Sequence, residues 1–209
     1  MDKFKIDSHK LLYHVPRVHE WLKGEDVYPI YLEIAPAGAC NHRCTYCAVD
    51  FMEYQPRTLD TEILKERLIE MGRLGVKSIM YAGEGEPFLH KKMGEIINHT
   101  KKECGIDVAI TSNGTLFGEK VIEESLASIT WIKISINAGS KDTYAAVHRT
   151  KPEDFAKVIE NITTAVKFRA ENKLKTTIGM QMILLPENIG EALVLAEKAK
   201  EIGADYLVI

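Results

Sequence analysis

The sequence predicts an α/β fold in which parallel strands, joined by helices, curve into a wide or incomplete barrel. Three observations predict it. Six short runs rich in β-branched and aromatic residues recur along the 209-residue chain. Helical apolar patterns lie between them, and strand–helix alternation gives a parallel sheet with right-handed crossovers. The runs also alternate between an apolar and a polar side. A sheet covered by helices on both faces reads apolar on both; here one face suits packed helices and the other a polar, ligand-holding lumen.

In chain order, residues 1–28 form an N-terminal extension, with a short helix over Pro16–Leu22 stopped at Gly24. The first strand is "IYLEIA" from Ile30, where Ile30, Leu32 and Ile34 oppose Tyr31 and Glu33. Leu59, Ile63, Leu64, Leu68 and Met71 recur at helical spacing. "SIMYA" from Ser78 is the second strand, and Met93–Ile97 marks the next helix. "DVAITS" from Asp107 sets Val108 and Ile110 against Asp107, Thr111 and Asn113, and a helix over Val121–Leu126 follows. In "WIKISIN", Ile132, Ile134 and Ile136 oppose Lys133, Ser135 and Asn137. Pro152 opens a helix carried by Phe155, Val158, Ile159, Ile162 and Val166. In "TTIGMQMILL" from Thr176, Ile178, Met180, Met182 and Leu184 oppose Thr177, Gly179 and Gln181. Leu193, Ala196 and Ala199 mark the last helix before Gly203, and "YLVI" from Tyr206 is the sixth strand. Glu33, Asp107 and Lys133 are expected to point inward, low in the barrel, as an ion-pair network.

A 45% hydrophobic composition is enough for one core, assigned to residues 29–209. No covering helix follows the sixth strand, so the chain is expected to be cut short at Ile209. Lys and Arg number 27 against 30 Asp and Glu, with no basic block. That balance argues against nucleic acid and membrane surfaces as partners. No apolar run nears the roughly 20 residues of a spanning helix. "MDKFKIDSHKLLYH" lacks the apolar centre of a secretory signal. The expected location is the cytoplasm, where clustered cysteines more often bind metal than pair.

Three of the four cysteines fall in "GACNHRCTYCAVD": Cys40, Cys44 and Cys47, spaced C-x3-C-x2-C after the first strand. This is the carboxyl end of the sheet, where parallel α/β folds place their chemistry. The loop runs on to near Thr58, and a structureless loop of about 20 residues is expected to be functional. A structural zinc site takes four ligands, and His42 would be a cramped fourth. Three thiolates suit a [4Fe–4S] cluster whose fourth iron is left to an exogenous ligand. Cys104, before Gly105, reads as a half-buried free thiol. His42, His90, His99 and His148 show no ligand spacing, and Arg149 reads as a surface cation or a partner for a carboxylate.

"CNHRCTYC", with the aromatic Tyr46 before its last cysteine, resembles the signature of the radical S-adenosylmethionine (radical SAM) enzymes, and the resemblance runs from about Ile30 to the chain's end. It implies a partial (β/α)6 barrel, ending here at strand six, with a [4Fe–4S] cluster and S-adenosyl-L-methionine as cofactors. "YAGEGEPFLH" resembles the family's Gly-Gly-Glu-Pro element through Gly83, Glu84, Gly85, Glu86 and Pro87, although Glu84 interrupts the glycines. The resemblance gives this strand end the methionyl amine of SAM. It gives Ser135 and Asn137 of "SIN" the ribose and carboxylate, and "GMQM", with Gln181 inward, the adenine and ribose flank; Ser112 and Asn113 of "TSNG" join them. In the family, one electron from the reduced cluster splits SAM into methionine and a 5′-deoxyadenosyl radical that removes hydrogen from a substrate. A one-electron reductant such as flavodoxin or ferredoxin is implied.

Three functional readings follow. The first is hydrogen abstraction from a small polar, sugar-like molecule, with an oxidoreductase or isomerase outcome. The inward Glu33, Asp107, Thr111, Lys133 and Gln181 suit hydroxyl-rich ligands. The stretch from "SHKLLYH" to "CAVDF" also resembles radical SAM proteins of bacterial sugar and surface-polysaccharide gene sets. The second is a peptide-modifying enzyme, a class that usually adds auxiliary clusters; outside the loop only Cys104 remains. The third is a non-catalytic iron–sulfur or zinc module. No side chain is singled out as catalytic.

Overall fold

The structure, a computed structural model, describes residues 10–209. The expectation about the chain's first residues, that they carry no secretory signal, falls on residues 1–9 and lies outside the described part. A 3-10 turn at Lys10–His14 leads into α1 (Val15–Leu22), as the Pro16–Leu22 pattern predicts. Then come β1 (Tyr31–Ile34), the four-residue α2 (Ala48–Phe51), α3 (Thr61–Arg73), β2 (Ser78–Tyr81), α4 (Met93–Lys102) and β3 (Asp107–Ser112). The second half holds α5 (Glu119–Ser125), β4 (Trp131–Ser135), α6 (Lys141–His148), α7 (Glu153–Glu171), β5 (Thr177–Gln181), α8 (Ala192–Ile202) and β6 (Tyr206–Val208).

The six strands form one sheet in the order β1-β2-β3-β4-β5-β6, each paired in parallel with its sequence neighbour. β1 and β6 do not pair, so the sheet is an open arc rather than a closed barrel. The outer face is apolar because the helices cover it. Ile79, Val108, Ile110, Ile132, Ile134, Ile178 and Met180 are fully buried there, in one core with Leu64, Leu68, Ile96, Ile97, Val158 and Ile162 of the helices. Each such side chain contributes about 1.5–3 kcal/mol on leaving water. The inner face is polar and half-buried, as β4 shows by alternating from Trp131 through Lys133 to Ser135.

Four expectations need correction. Leu59 and Ile63 are not on the buried face of α3: Asp60 caps that helix by accepting from the Glu62 and Ile63 amides, so Leu59 lies outside it and Ile63 faces solvent. The α8 stripe is carried by Leu195 and Ala199, while Leu193 is 71% exposed. β5 stops at Gln181 and does not run on to Leu184, which is half-exposed. Asp107 does not belong to an inward network: it stands exposed at the amino end of β3, paired with Lys101 at 2.5 Å. Only Glu33 and Lys133 of that set face the lumen.

At the amino end of the arc, a cavity of about 910 Å³ opens between the N-terminal helical segment and the strand starts. Leu11, Leu12, Val15 and Val18 line one side and Tyr31 and Trp131 the other.

Candidate functional site

The carboxyl end of the arc holds the three-cysteine loop. Its neck is closed by an isolated antiparallel bridge between Ala37 and Thr58, backed by hydrogen bonds from Gly38 N to Arg57 O (2.8 Å) and from Leu59 N to Pro36 O (3.0 Å). The expected 20-residue span is therefore a strapped loop with a short helix inside it. Its middle rests on α6: the amides of Arg43 and Thr45 donate to the carbonyls of His148 and Val147, satisfying orphan groups at that helix's end. Arg43 turns back to donate to the carbonyls of Cys40 and His42, each at 2.7 Å, and its guanidinium lies over the Tyr54 ring.

Cys40, Cys44 and Cys47 line one cavity of about 160 Å³. The sequence-predicted residues Tyr46, Gly83, Glu84, Gly85 and Glu86 share its wall, as do Ser112, Asn113 and Ser135. Pro87 is buried behind it, opening a 3-10 turn, and Gln181 stands on the lumen face of β5 beside Ser135. Cys104 is remote, packed against the core below α4.

The β2 end explains why glycine is needed there. A Cβ on Gly85 would meet the carbonyl oxygens of Ala39 and Ala37 at 2.2 and 2.3 Å, and Gly83 holds a φ of +107°. Glu84, the residue between them, points out toward Arg57 at 3.9 Å. Glu86 is buried and accepts from Phe88 N at 3.1 Å, Ser112 Oγ at 2.7 Å and Asn113 N at 2.9 Å. Burial pushes its carboxyl above the usual range, and those three donors pull the other way. This one carboxylate ties the β2 end to the β3 end, and its amide donates to Ala39 O at 2.9 Å, tying both to the cysteine loop. Asn113 extends the tie through Asn41 at 2.7 Å.

Asn137 is fully buried in the left-handed region, with φ +50°, after β4. Its amide donates to Tyr46 Oη, and its carbonyl oxygen accepts from Ile183 N at 2.7 Å. The side chain braces Tyr46 rather than lining the cavity. Replacing Asn137 by Ala strands the Ile183 amide and forces Ala into a left-handed backbone, so chemical denaturation should show a loss of about 1–3 kcal/mol. Unchanged stability would mean that Tyr46 and Ile183 find other partners.

Two histidines that show no ligand spacing in the sequence meet Cys44 in space. His148 Nε2 donates to Ile136 O at 2.9 Å, which leaves Nδ1 to accept from the Cys44 thiol at 3.1 Å. His42 is fully buried, with neither ring nitrogen hydrogen-bonded. Donor atoms of His42, Cys44 and His148 lie within 4.8 Å of one another. Burial lowers both imidazoles to about 4, so both are neutral near pH 7. The separation of 104 positions between Cys44 and His148 hides this contact from any spacing argument. Arg149, beside His148, ends α6 in the left-handed region, 3.4 Å from Asp50.

Burial raises the Cys44 thiol to about 12 and pushes Cys40 up as well, so binding a metal cluster here proceeds with release of protons. The donor set fits a cluster with one open iron: three thiols on one cavity wall, next to a strand end with no side chain at Gly85.

Comparison with known proteins agrees with this geometry. The family model for the radical SAM superfamily matches residues 34–199. The GTP 3′,8-cyclase of Chlorobaculum tepidum is 29% identical over 134 residues, 63% of this chain and 40% of that protein. That of Clostridium acetobutylicum is 30% identical over 140 residues, 66% of this chain and 43% of that one. The chain thus spans about two fifths of the curated relatives it matches. Among solved structures, Streptococcus suis SuiB bound to its precursor peptide SuiA superposes with a TM-score of 0.72 at 18% identity, covering 95% of this chain and 43% of SuiB. This chain belongs to the radical SAM superfamily, whose members are enzymes that use a [4Fe–4S] cluster and SAM.

Proposed function

We propose that this protein reductively cleaves SAM and abstracts hydrogen from a small polar, sugar-like substrate. The observation that carries this reading is the single cavity that gathers three thiols, the Gly83–Glu86 end of β2 and the polar ends of β3 and β4. Cys40, Cys44 and Cys47 would hold the cluster. The Gly83–Pro87 stretch, Ser112, Asn113, Ser135 and Gln181 would hold SAM, with Asn137 setting the position of Tyr46. When bound, the cluster supplies one electron and SAM the 5′-deoxyadenosyl radical. The chain's own part is placement: Gly85 lets the cysteine loop's backbone at Ala37 and Ala39 lie against the β2 end, and the Ser135 and Gln181 side chains have no partner among the described residues. Asn113 offers less, because Asn41 and Thr115 already engage its amide.

The polar lumen favours a hydroxyl-rich substrate, and the curated relatives are named for GTP, a ribose-bearing molecule. SuiB, solved with a precursor peptide, makes peptides the necessary control. The test uses deuterium. Incubated with SAM, reductant and a substrate deuterated at the reacting carbon, the enzyme should move label into 5′-deoxyadenosine. Sugar nucleotides, GTP and peptides are screened side by side; transfer from a peptide and from no sugar-bearing compound would overturn the sugar reading.

A further inference from the structure

The inner face of β4 carries one cation, Lys133, whose place in the lumen points to a substrate charge. The strand registers stack the inner side chains in rows. Thr111, Lys133, Gly179 and Tyr206 share one row. Ser135 and Gln181 stand in the row above, toward the cysteine loop. Glu33, Met80, Ala109 and Trp131 stand in the row below. Lys133 therefore lies between the two cavities already described: Trp131, two residues before it on the same face, lines the amino-end cavity, and Ser135, two residues after it, lines the cysteine cavity.

Lys133 is half-buried, and among the described residues its ammonium has neither an ion pair nor a hydrogen bond. Glu33 is the one charge that acts on it, from the row below, and Tyr31 Oη already donates to that carboxylate at 2.6 Å. Burial lowers the Lys133 ammonium below its usual range, a desolvation cost that an anionic partner would offset. Its neighbours on the cysteine side are neutral and polar: Thr111, Ser135 and Gln181. Across the row, the Tyr206 ring lies so close on Gly179 that a Cβ there would meet it at 2.2 Å, which narrows the lumen at the level of Lys133.

We propose that Lys133 is the specificity residue for an oxyanion on the substrate, a carboxylate or a phosphate, whose hydroxyl-bearing remainder reaches up toward the SAM held at Ser135 and Gln181. This rests on the sugar-like reading above and narrows it to acidic sugars or sugar phosphates. A charge-assisted bond from a partly desolvated ammonium favours such ligands over neutral ones of the same shape.

The test is equilibrium binding to the anaerobic, cluster-loaded, SAM-saturated protein. Glucose 6-phosphate and glucuronate are compared with glucose. At least one of the two anions should bind tenfold or more tightly than glucose, and which one does separates phosphate from carboxylate. Lys133→Met should abolish the difference, Lys133→Arg should keep most of it, and raising the salt concentration should weaken the anion but not glucose. Glucose binding as tightly as both anions would overturn the assignment and leave the sugar-like reading standing. A preference that survives Lys133→Met would overturn it too, as would a parallel tenfold loss of SAM affinity in that variant, which would place Lys133 in the SAM site. Binding of none of the three, together with label transfer from a peptide, would overturn both readings.

Discussion

Anaerobically reconstituted Cys44→Ala protein should hold no [4Fe–4S] cluster, while the Cys104→Ala protein should keep about four irons per chain, the content of one cluster. Cys40→Ala and Cys47→Ala should behave like Cys44→Ala. The three thiols share one cavity wall, and the loop that carries them is pinned at its neck by Ala37–Thr58 and in its middle by α6. Neither pin involves a thiol, so the loop should keep its path when one sulfur is removed, and the loss reads out as a missing ligand rather than a collapsed loop. Cys104 packs against the core at the far end of α4 and reaches none of the three. Iron and sulfide analysis with the visible absorption of each variant decides the matter; a cluster that persists in Cys44→Ala would sink the assignment.

The second large effect is expected at Gly85. Its missing side chain is what lets the β2 end lie against the carbonyls of Ala37 and Ala39, so Gly85→Ala drives a methyl into backbone that cannot rotate away. Overpacking of this kind costs about 1–3 kcal/mol. In a chain of this size that lowers the thermal midpoint on the order of 5 °C. The displaced backbone is the root of the cysteine loop, so cluster content and SAM affinity should fall along with stability. Gly190→Ala is the control: it has open space around the added methyl and no positive φ. Equal midpoints and equal iron content in the two variants would mean that the β2 end tolerates displacement.

Most of the architecture was legible because periodicity reports burial. The alternation in "WIKISIN" and the helical spacing of Val158, Ile162 and Val166 are direct consequences of which faces the helices cover. The cysteine loop was legible because its ligands are close in sequence. The errors have equally local causes. Leu193 and Ile63 depart from expectation because an apolar side chain at helical spacing need not face the core, and Asp107 because strand alternation gives a side but not a height. The contacts of Cys44 with His148 and of Asn137 with Tyr46 join residues 104 and 91 positions apart, and only the folded arc brings them together. Glu86 was visible as part of a motif, but its work as a three-way tie was not: that depends on where the β3 amide at Asn113 arrives.

Among the described residues β1 and β6 do not pair with each other, which changes what the radius of this sheet means. In a closed barrel, strand number and stagger fix the diameter. An open arc is not bound by that relation, and here the helices packed on its outer face support its curvature. Tyr206 opens the last strand, which pairs with β5 through three residues. The cysteine loop takes its geometry from its own straps to the β2 end, the β3 end and α6 rather than from closure of the sheet. The reactive end is thus positioned by local straps, and the order of the strands around the arc is a separate matter.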